Sequence, residues 1–192
     1  MPFPTLARRS TSVALAAAMA GSLFAFSPVA VVPAYSAGGD RDSTITPSCR
    51  KGKVWDRRTK KCVKAKKSSG LSDDNLYAAA RDLAYHRRYD EAINVLRLAE
   101  NQNDPRILNY LGYSHRKLGD VETGLNYYRT ALKFDPDYTL VREYMGEAFL
   151  QLGQVDKARE QLAEIEKRCG ADCREYAMLQ EQIDAHTAKQ GQ

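Results

Sequence analysis

Apolar residues recur three and four apart through most of the chain beyond Leu71, the spacing that gathers them on one face of an α-helix. Leu108, Leu111 and His115 share such a face, and Val121, Gly124, Tyr128 and Ala131 share the next. The pattern then repeats without gaps. Tyr110 falls on Tyr144, Gly112 on Gly146, Leu118 on Leu152, Gly119 on Gly153 and Val121 on Val155, each 34 residues apart. A fixed period of that length predicts stacked helical hairpins. Gly112 and Gly146 lie inside the first helix of their units, where glycine costs ~1 kcal/mol relative to alanine. Their recurrence predicts that the close approach of another helix offsets this cost. Gly119 and Gly153 stand where each first helix should stop, and they suit left-handed C-terminal caps. Ala158, Leu162 and Ile165 continue the second helix after Val155, and Gly124 and Ala158 are small enough for the two helices of a hairpin to cross closely. Pro136 ends the run between the two units, because it cannot continue a helix interior.

A less regular copy precedes these two. Leu76, Ala80, Leu83, Tyr89, Ala92, Leu96 and Ala99 take the same positions, but the offset is 32, the connector at residues 101–104 is short, and Arg87 stands in place of the turn glycine. Such a unit suits the end of an array. The residues at these positions resemble the tetratricopeptide repeat (TPR) over residues 73–170, in units of about 73–104, 105–138 and 139–170. There are departures: Leu76, Leu108 and Arg142 replace the family's first-helix Trp, His115 stands where Tyr is usual, and Gly170 replaces a Pro. A generic helical bundle is the other reading. The resemblance implies an all-α fold, a right-handed solenoid of about three hairpins closed by a capping helix in residues 171–192. In that helix Tyr176, Leu179 and Ile183 would face inward and Glu181, Gln182, Asp184 and Lys189 outward, with Gly170 as the turn and Asp172 as the N-terminal cap.

Composition alone, with 28% charged and 43% hydrophobic residues, is ordinary for a soluble chain, but the charge is unevenly placed. Residues 1–37 read as an export signal: Arg8 and Arg9, an Ala-rich apolar core over residues 13–26, then Pro28, Pro33 and small residues at Ala34, Ser36 and Ala37. The expectation is a mature chain beginning near Ala37 or Gly38, periplasmic or secreted, with no stable membrane span after processing. An uncleaved anchor over residues 13–35 is the alternative. Residues 38–70 carry 11 Lys and Arg against three Asp, whereas residues 71–192 carry 16 against 21 Asp and Glu. Tracts so rich in lysine are usually solvated and irregular. Within this one, Cys49 and Cys62 bracket Val54, Trp55 and a turn-prone run, which predicts a small β-hairpin stapled by a disulfide, on a basic linker. Closing so short a loop removes roughly 3 kcal/mol of unfolded-state freedom. The run C-x2-G-x-V-W-D-x5-C also resembles half of a peritrophin-type chitin-binding module at Gly52, Trp55 and the two cysteines, which implies Trp55 stacking on an N-acetylglucosamine-containing wall polymer. The plainer reading is a basic stapled knob. Cys169 and Cys173 form a second local pair, expected as a disulfide; metal binding with His186 is the alternative.

Chemistry-bearing motifs are missing: the sequence contains no G-x4-G-K-[ST], G-x-S-x-G, H-E-x2-H or EF-hand loop. His86, His115 and His186 fall far apart in the expected array, with His115 read as a core histidine. No enzyme, cofactor or metal is expected. The TPR resemblance instead implies binding of a protein or peptide along the inner face formed by the first helices. That face would present Tyr77, Arg81 and Tyr85, then Asn109, Tyr110, Tyr113, Arg116 and Lys117, then Glu143, Tyr144 and Glu147. Arg81, Asn109, Tyr113 and Arg116 are expected to face solvent. Arg81, Arg116 and Lys117 would hold a carboxylate at one end, and Glu143 and Glu147 a basic group at the other. Tyr110 and Tyr144, at equal positions, also read as packing within the repeats. The leading expectation is an exported scaffold. A different one is an envelope- or wall-polymer binder in which the basic head works and the repeats are a spacer; export argues against nucleic acid.

Overall fold

A strand pair and seven helices follow one another in the computed structural model, which describes residues 47, 49–67 and 70–190 (the side chain of Gln190 excepted). The expected export segment, residues 1–37, lies outside the described residues. Strands β1 (Lys53–Asp56) and β2 (Lys61–Lys64) pair antiparallel. Helices α1 (Asp73–Tyr85) and α2 (Tyr89–Leu96) form the first helical hairpin, α3 (Pro105–Lys117) and α4 (Val121–Phe134) the second, and α5 (Thr139–Gln151) and α6 (Val155–Cys169) the third; α7 (Arg174–Gln190) closes the array. Each helix packs on its successor, and the first helices also touch in series, α1 on α3, α3 on α5 and α5 on α7. That series is the inner face of an all-α solenoid.

The first helices all stop by one device. Gly119 donates its N–H to the Arg116 carbonyl at 3.0 Å and Asp120 to that of His115 at 3.0 Å; Gly153 and Gln154 repeat this on Leu150 and Phe149 at 3.0 and 2.8 Å. This is a Schellman cap, and it puts Gly119 at φ +94° and Gly153 at φ +70°. The first unit makes the same two bonds, Arg87 to Ala84 at 3.0 Å and Arg88 to Leu83 at 2.9 Å, with Arg87 held at φ +61°. The geometry wins over the residue type there. At the other ends, Asp104 caps α3 through a 2.8 Å bond from the Arg106 N–H with Pro105 at the first helical position, and Asp120 caps α4.

Space explains the interior glycines. A Cβ on Gly112 would meet Tyr128 Cε1 at 2.6 Å and the Gly124 carbonyl at 3.0 Å, so α3 and α4 cross nearly backbone to backbone. At Gly146 the intruder comes from α7 rather than from the partner helix: Leu179 would meet that Cβ at 2.6 Å. Arg142, at the family's Trp position, donates to the Pro136 carbonyl at 2.9 Å and to Gln161 Oε1 at 3.3 Å, tying the α4–α5 connection down.

Three differences from the sequence reading stand out. Helix α2 ends at Leu96, not beyond Ala99, which is nevertheless buried. The two-residue deficit leaves the chain too little length for another turn, and side chains take over: Asp73 accepts from the N–H groups of Glu100 and Asn101 at 2.8 and 2.9 Å, and Gln102 donates to the carbonyls of Leu96 and Ala99. Asp172 does not cap α7, because the helix begins at Arg174 and Cys173 holds the cap position, its carbonyl accepting from Ala177 at 3.2 Å. The stapled hairpin is not a separate knob on a spacer. Val54 is 2% exposed and belongs to the repeat core, with Val63 and Ala65 packed against it. Gly52 donates to Glu91 at 3.1 Å and Arg88 to the Cys49 carbonyl at 3.0 Å, so the hairpin is bound to the first unit by polar contacts too. Cys49 is bonded to Cys62, and Cys169 to Cys173.

Arg87 carries a side chain in a backbone region that disfavours one by ~1–2 kcal/mol. Arg87→Gly is therefore expected to raise stability by about 0.5–1 kcal/mol after the extra flexibility of glycine in the unfolded chain is counted. Urea melts of the two proteins check this; an unchanged or lower midpoint would show the turn to be unstrained.

Candidate functional site

Tyrosines line the inner face from end to end. Ring centroids lie 5.6 Å apart for Tyr77 and Tyr110, 6.0 Å for Tyr110 and Tyr113, and 5.0 Å for Tyr113 and Tyr144. The hydroxyls of Tyr85 and Tyr110 share a 2.9 Å hydrogen bond. Helical period places these rings on α1, α3 and α5, and the stacking of first helices brings Tyr77 edge to face with Tyr110 and sets Tyr113 tilted against Tyr144.

Within this row sits Arg116. Its guanidinium lies over Tyr113 at 5.5 Å and Tyr144 at 5.8 Å, pairs with Glu147 at 2.7 Å and donates through Nε to the Tyr128 hydroxyl at 3.3 Å. Lys117 reaches the same Glu147 at 3.9 Å. The expectation that Arg81, Asn109, Tyr113 and Arg116 face solvent is therefore wrong: they are 6%, 0%, 6% and 2% exposed, and Glu143 is 2% exposed. Neighbouring first helices pack their inner-facing side chains onto one another, which the period of a single helix does not convey. The expected division into a cationic and an anionic end fails for the same reason. Arg116 and Lys117 near the end of α3 meet Glu147 on α5 and neutralise it. Tyr77 and Glu147 remain partly exposed and Lys117 exposed, while Tyr110 and Tyr144 are fully buried.

Buried polar groups on this face are incompletely satisfied. Both amide atoms of Asn109, Oε1 of Glu143 and the hydroxyl of Tyr144 find no hydrogen-bond partner among the described residues. Each such group costs ~1–3 kcal/mol relative to a bonded one. Burial, with Glu147 and Glu175 adding to it, pushes the Glu143 carboxyl up to about 8 against the opposing pull of Arg174 and Arg116. Glu143 thus holds its proton at neutral pH.

Two cavities border the face. One of about 400 Å³ is lined by Arg57, Asp74, Tyr77, Ala78, Arg81, Arg106 and Tyr138. In it Arg106 pairs with Asp74 at 2.9 Å and stands 5.0 Å over Tyr77. The other, about 390 Å³, lies between Lys117, Glu147, Leu150 and Gln151 and the end of α7 at Gln182, His186 and Lys189. Arg57 comes from the stapled hairpin, and sequence reasoning gave it no part in this face. Elsewhere, Trp55 is half-buried. His115 stacks on Tyr127 at 5.5 Å and lies 3.5 Å from Asp120, at the edge of the core and not inside it. Cys169, Cys173 and Glu175 bring ligand-type atoms within 4.8 Å, but the sulfurs are bonded to each other and His186 is not among the group.

Removing one partner of a buried ion pair strands the other, typically at 3–5 kcal/mol. Arg116→Ala is accordingly expected to destabilise the fold by about 3 kcal/mol or more, read as a lowered urea midpoint; a wild-type midpoint would mean the pair is solvated. The second expectation concerns pH. Between 4.5 and about 8 the folded chain binds a proton on Glu143 that the unfolded chain has lost, so this group makes stability fall as pH rises through that window. The slope is at most ~1.4 kcal/mol per pH unit. Glu143→Gln keeps a neutral side chain and should flatten that fall; denaturant melts at about pH 5 and about pH 8 measure it, and parallel losses in both proteins would contradict the assignment.

Comparison with known proteins fits this architecture. Tetratricopeptide repeat models match residues 77–139 and residues 115–183, together more than half of the chain. No curated protein matches the sequence. Among solved structures, the type III secretion translocator chaperone SycD of Yersinia enterocolitica is 19% identical with a TM-score of 0.53, over 64% of this chain and 90% of that one. PcrH, solved in complex with the chaperone binding region of PopD, is 24% identical with a TM-score of 0.53, over 63% of this chain and 97% of that one. The first TPR domain of human RPAP3 is 15% identical with a TM-score of 0.54, over 61% of this chain and 93% of its own. At such identities the likeness is one of fold. Repeat period, capped hairpins and matched models agree: the chain belongs to the tetratricopeptide repeat family.

Proposed function

We propose that this chain is an exported, non-catalytic scaffold that holds a protein or peptide segment along the inner face of its repeats. The observation that carries the reading is the stacked row of first helices α1, α3 and α5, whose inner face keeps Tyr77 and Glu147 part-exposed and Lys117 exposed, with cavities of about 400 and 390 Å³ bordering it. Arg57, part-exposed at the larger cavity, suits a carboxylate on that segment, whereas Arg106 beside it is held by Asp74 and Asp104 at 2.9 and 2.7 Å. PcrH, similar in fold, was solved with a bound region of PopD, which supports a peptide partner here. Export is supported by the basic–apolar–small order of residues 1–37 and by two disulfides, which suit an oxidising compartment.

Peptides selected from a random library on the immobilised chain supply the test, with affinities read by fluorescence anisotropy. Arg57→Glu and Lys117→Ala change side chains that are not buried, so each should melt close to wild type. Each should weaken capture of the selected peptides at least about tenfold, or ~1.4 kcal/mol. Wild-type affinity in both variants would place binding elsewhere.

A further inference from the structure

The groove leaves the stapled hairpin's outer side unexplained. Side chains alternate along a strand. Val54 and Asp56 turn inward and are buried, which puts Lys53 and Trp55 on the other face of β1. The register sets Lys53 opposite Lys64 and Trp55 opposite Cys62, so two lysines, the half-buried ring and the disulfide share one surface. Like charges directly opposite in an antiparallel pair destabilise it. Nine of the ten Lys and Arg between Arg50 and Lys67 are exposed. The one acid in that stretch, Asp56, is 5% exposed and accepts from the Arg58 N–H at 2.9 Å, Thr59 Oγ1 at 2.7 Å and Asn75 Nδ2 at 3.3 Å, and among the outer cations its charge acts on Arg58. A fold selected for stability alone has no use for this arrangement, whereas an anionic partner does.

Shape selects the partner. The cavities that border the strands, about 30 and 290 Å³, lie along the seam with α1 and α2; Trp55 lines the smaller, and of the ten Lys and Arg between Arg50 and Lys67 Lys53 alone lines them. A single anionic chain would be held best in a groove; a broad cationic face bordered by an amphipathic ring matches a sheet of headgroups. Lys and Arg are drawn to an anionic leaflet, and Trp favours the headgroup level. We propose that the outer face of this hairpin docks on an anionic phospholipid surface. Residues 71–192 carry net negative charge and would be repelled, so contact is confined to the hairpin end. The Gly52–Glu91 and Arg88–Cys49 bonds fix the hairpin to the first unit, so docking also orients the repeats.

Trp55 is the only tryptophan of the chain, so its fluorescence reports this face alone. The full chain is mixed with vesicles of about 30% phosphatidylglycerol in phosphatidylcholine, and with phosphatidylcholine alone. The expected result is a blue-shifted, quencher-protected emission on the anionic vesicles only, lost as salt rises from about 0.05 to about 0.5 M. The double variant Lys53→Glu/Lys64→Glu should melt as wild type does, both sites being exposed, and partition at least about tenfold less. No shift on anionic vesicles, an equal shift on phosphatidylcholine, or unchanged partition of the double variant would each overturn the proposal. So would a shift with polyphosphate or duplex DNA in place of vesicles.

Discussion

Arg116 is a full charge with almost no water around it, and the inner face is built to keep it there. One carboxylate, one phenol and the faces of two tyrosines replace its hydration shell. Those groups come from α3, α4 and α5, so the ion pair is also a register mark between neighbouring units. Sliding α5 along α3 by one turn would separate Glu147 from the guanidinium and leave both charges buried, a state several kcal/mol above the native one. Apolar packing between helices tolerates such slips far better. The contact of Tyr113 with Tyr144 depends on the same alignment.

Legibility in the sequence follows how local each determinant is. The period of 34, the left-handed positions after each first helix and the close crossing at Gly112 are all written in residues near one another, and they could be read. Even Arg87, the wrong residue type for its place, was legible by position. What could not be read depends on partners remote in the chain. Which helix fills the slot at Gly146 depends on Leu179, 33 residues away. Whether Asn109 and Glu143 see water depends on the adjacent first helix, since a hydrophobic period tells which side a residue faces and not how deep that side lies. Arg57 joins the inner face only because the hairpin docks, and no local signal in a lysine-rich tract announces docking.

The hairpin solves a problem common to solenoids. A terminal unit has an apolar flank with no neighbour, and it must be covered or made polar. Here a strand pair too small to hold its own core lends one valine to the first unit's core, and the unit returns the favour by ordering the strands. The staple between Cys49 and Cys62 keeps that lid in shape with few contacts of its own. A basic segment is thereby turned from a tether into a surface with a defined direction.

The seat of Leu179 at Gly146 has a consequence for how such an array can grow. Repeat proteins lengthen by duplicating units, and each new unit must find an open flank. At the α7 end the flank is taken: the leucine occupies the room a following first helix would need, and the Cys169–Cys173 link ties α7 to the end of α6. A further unit would therefore stack on α7 itself, whose outward side carries the exposed Glu181, Gln182 and Asp184 in place of an apolar flank.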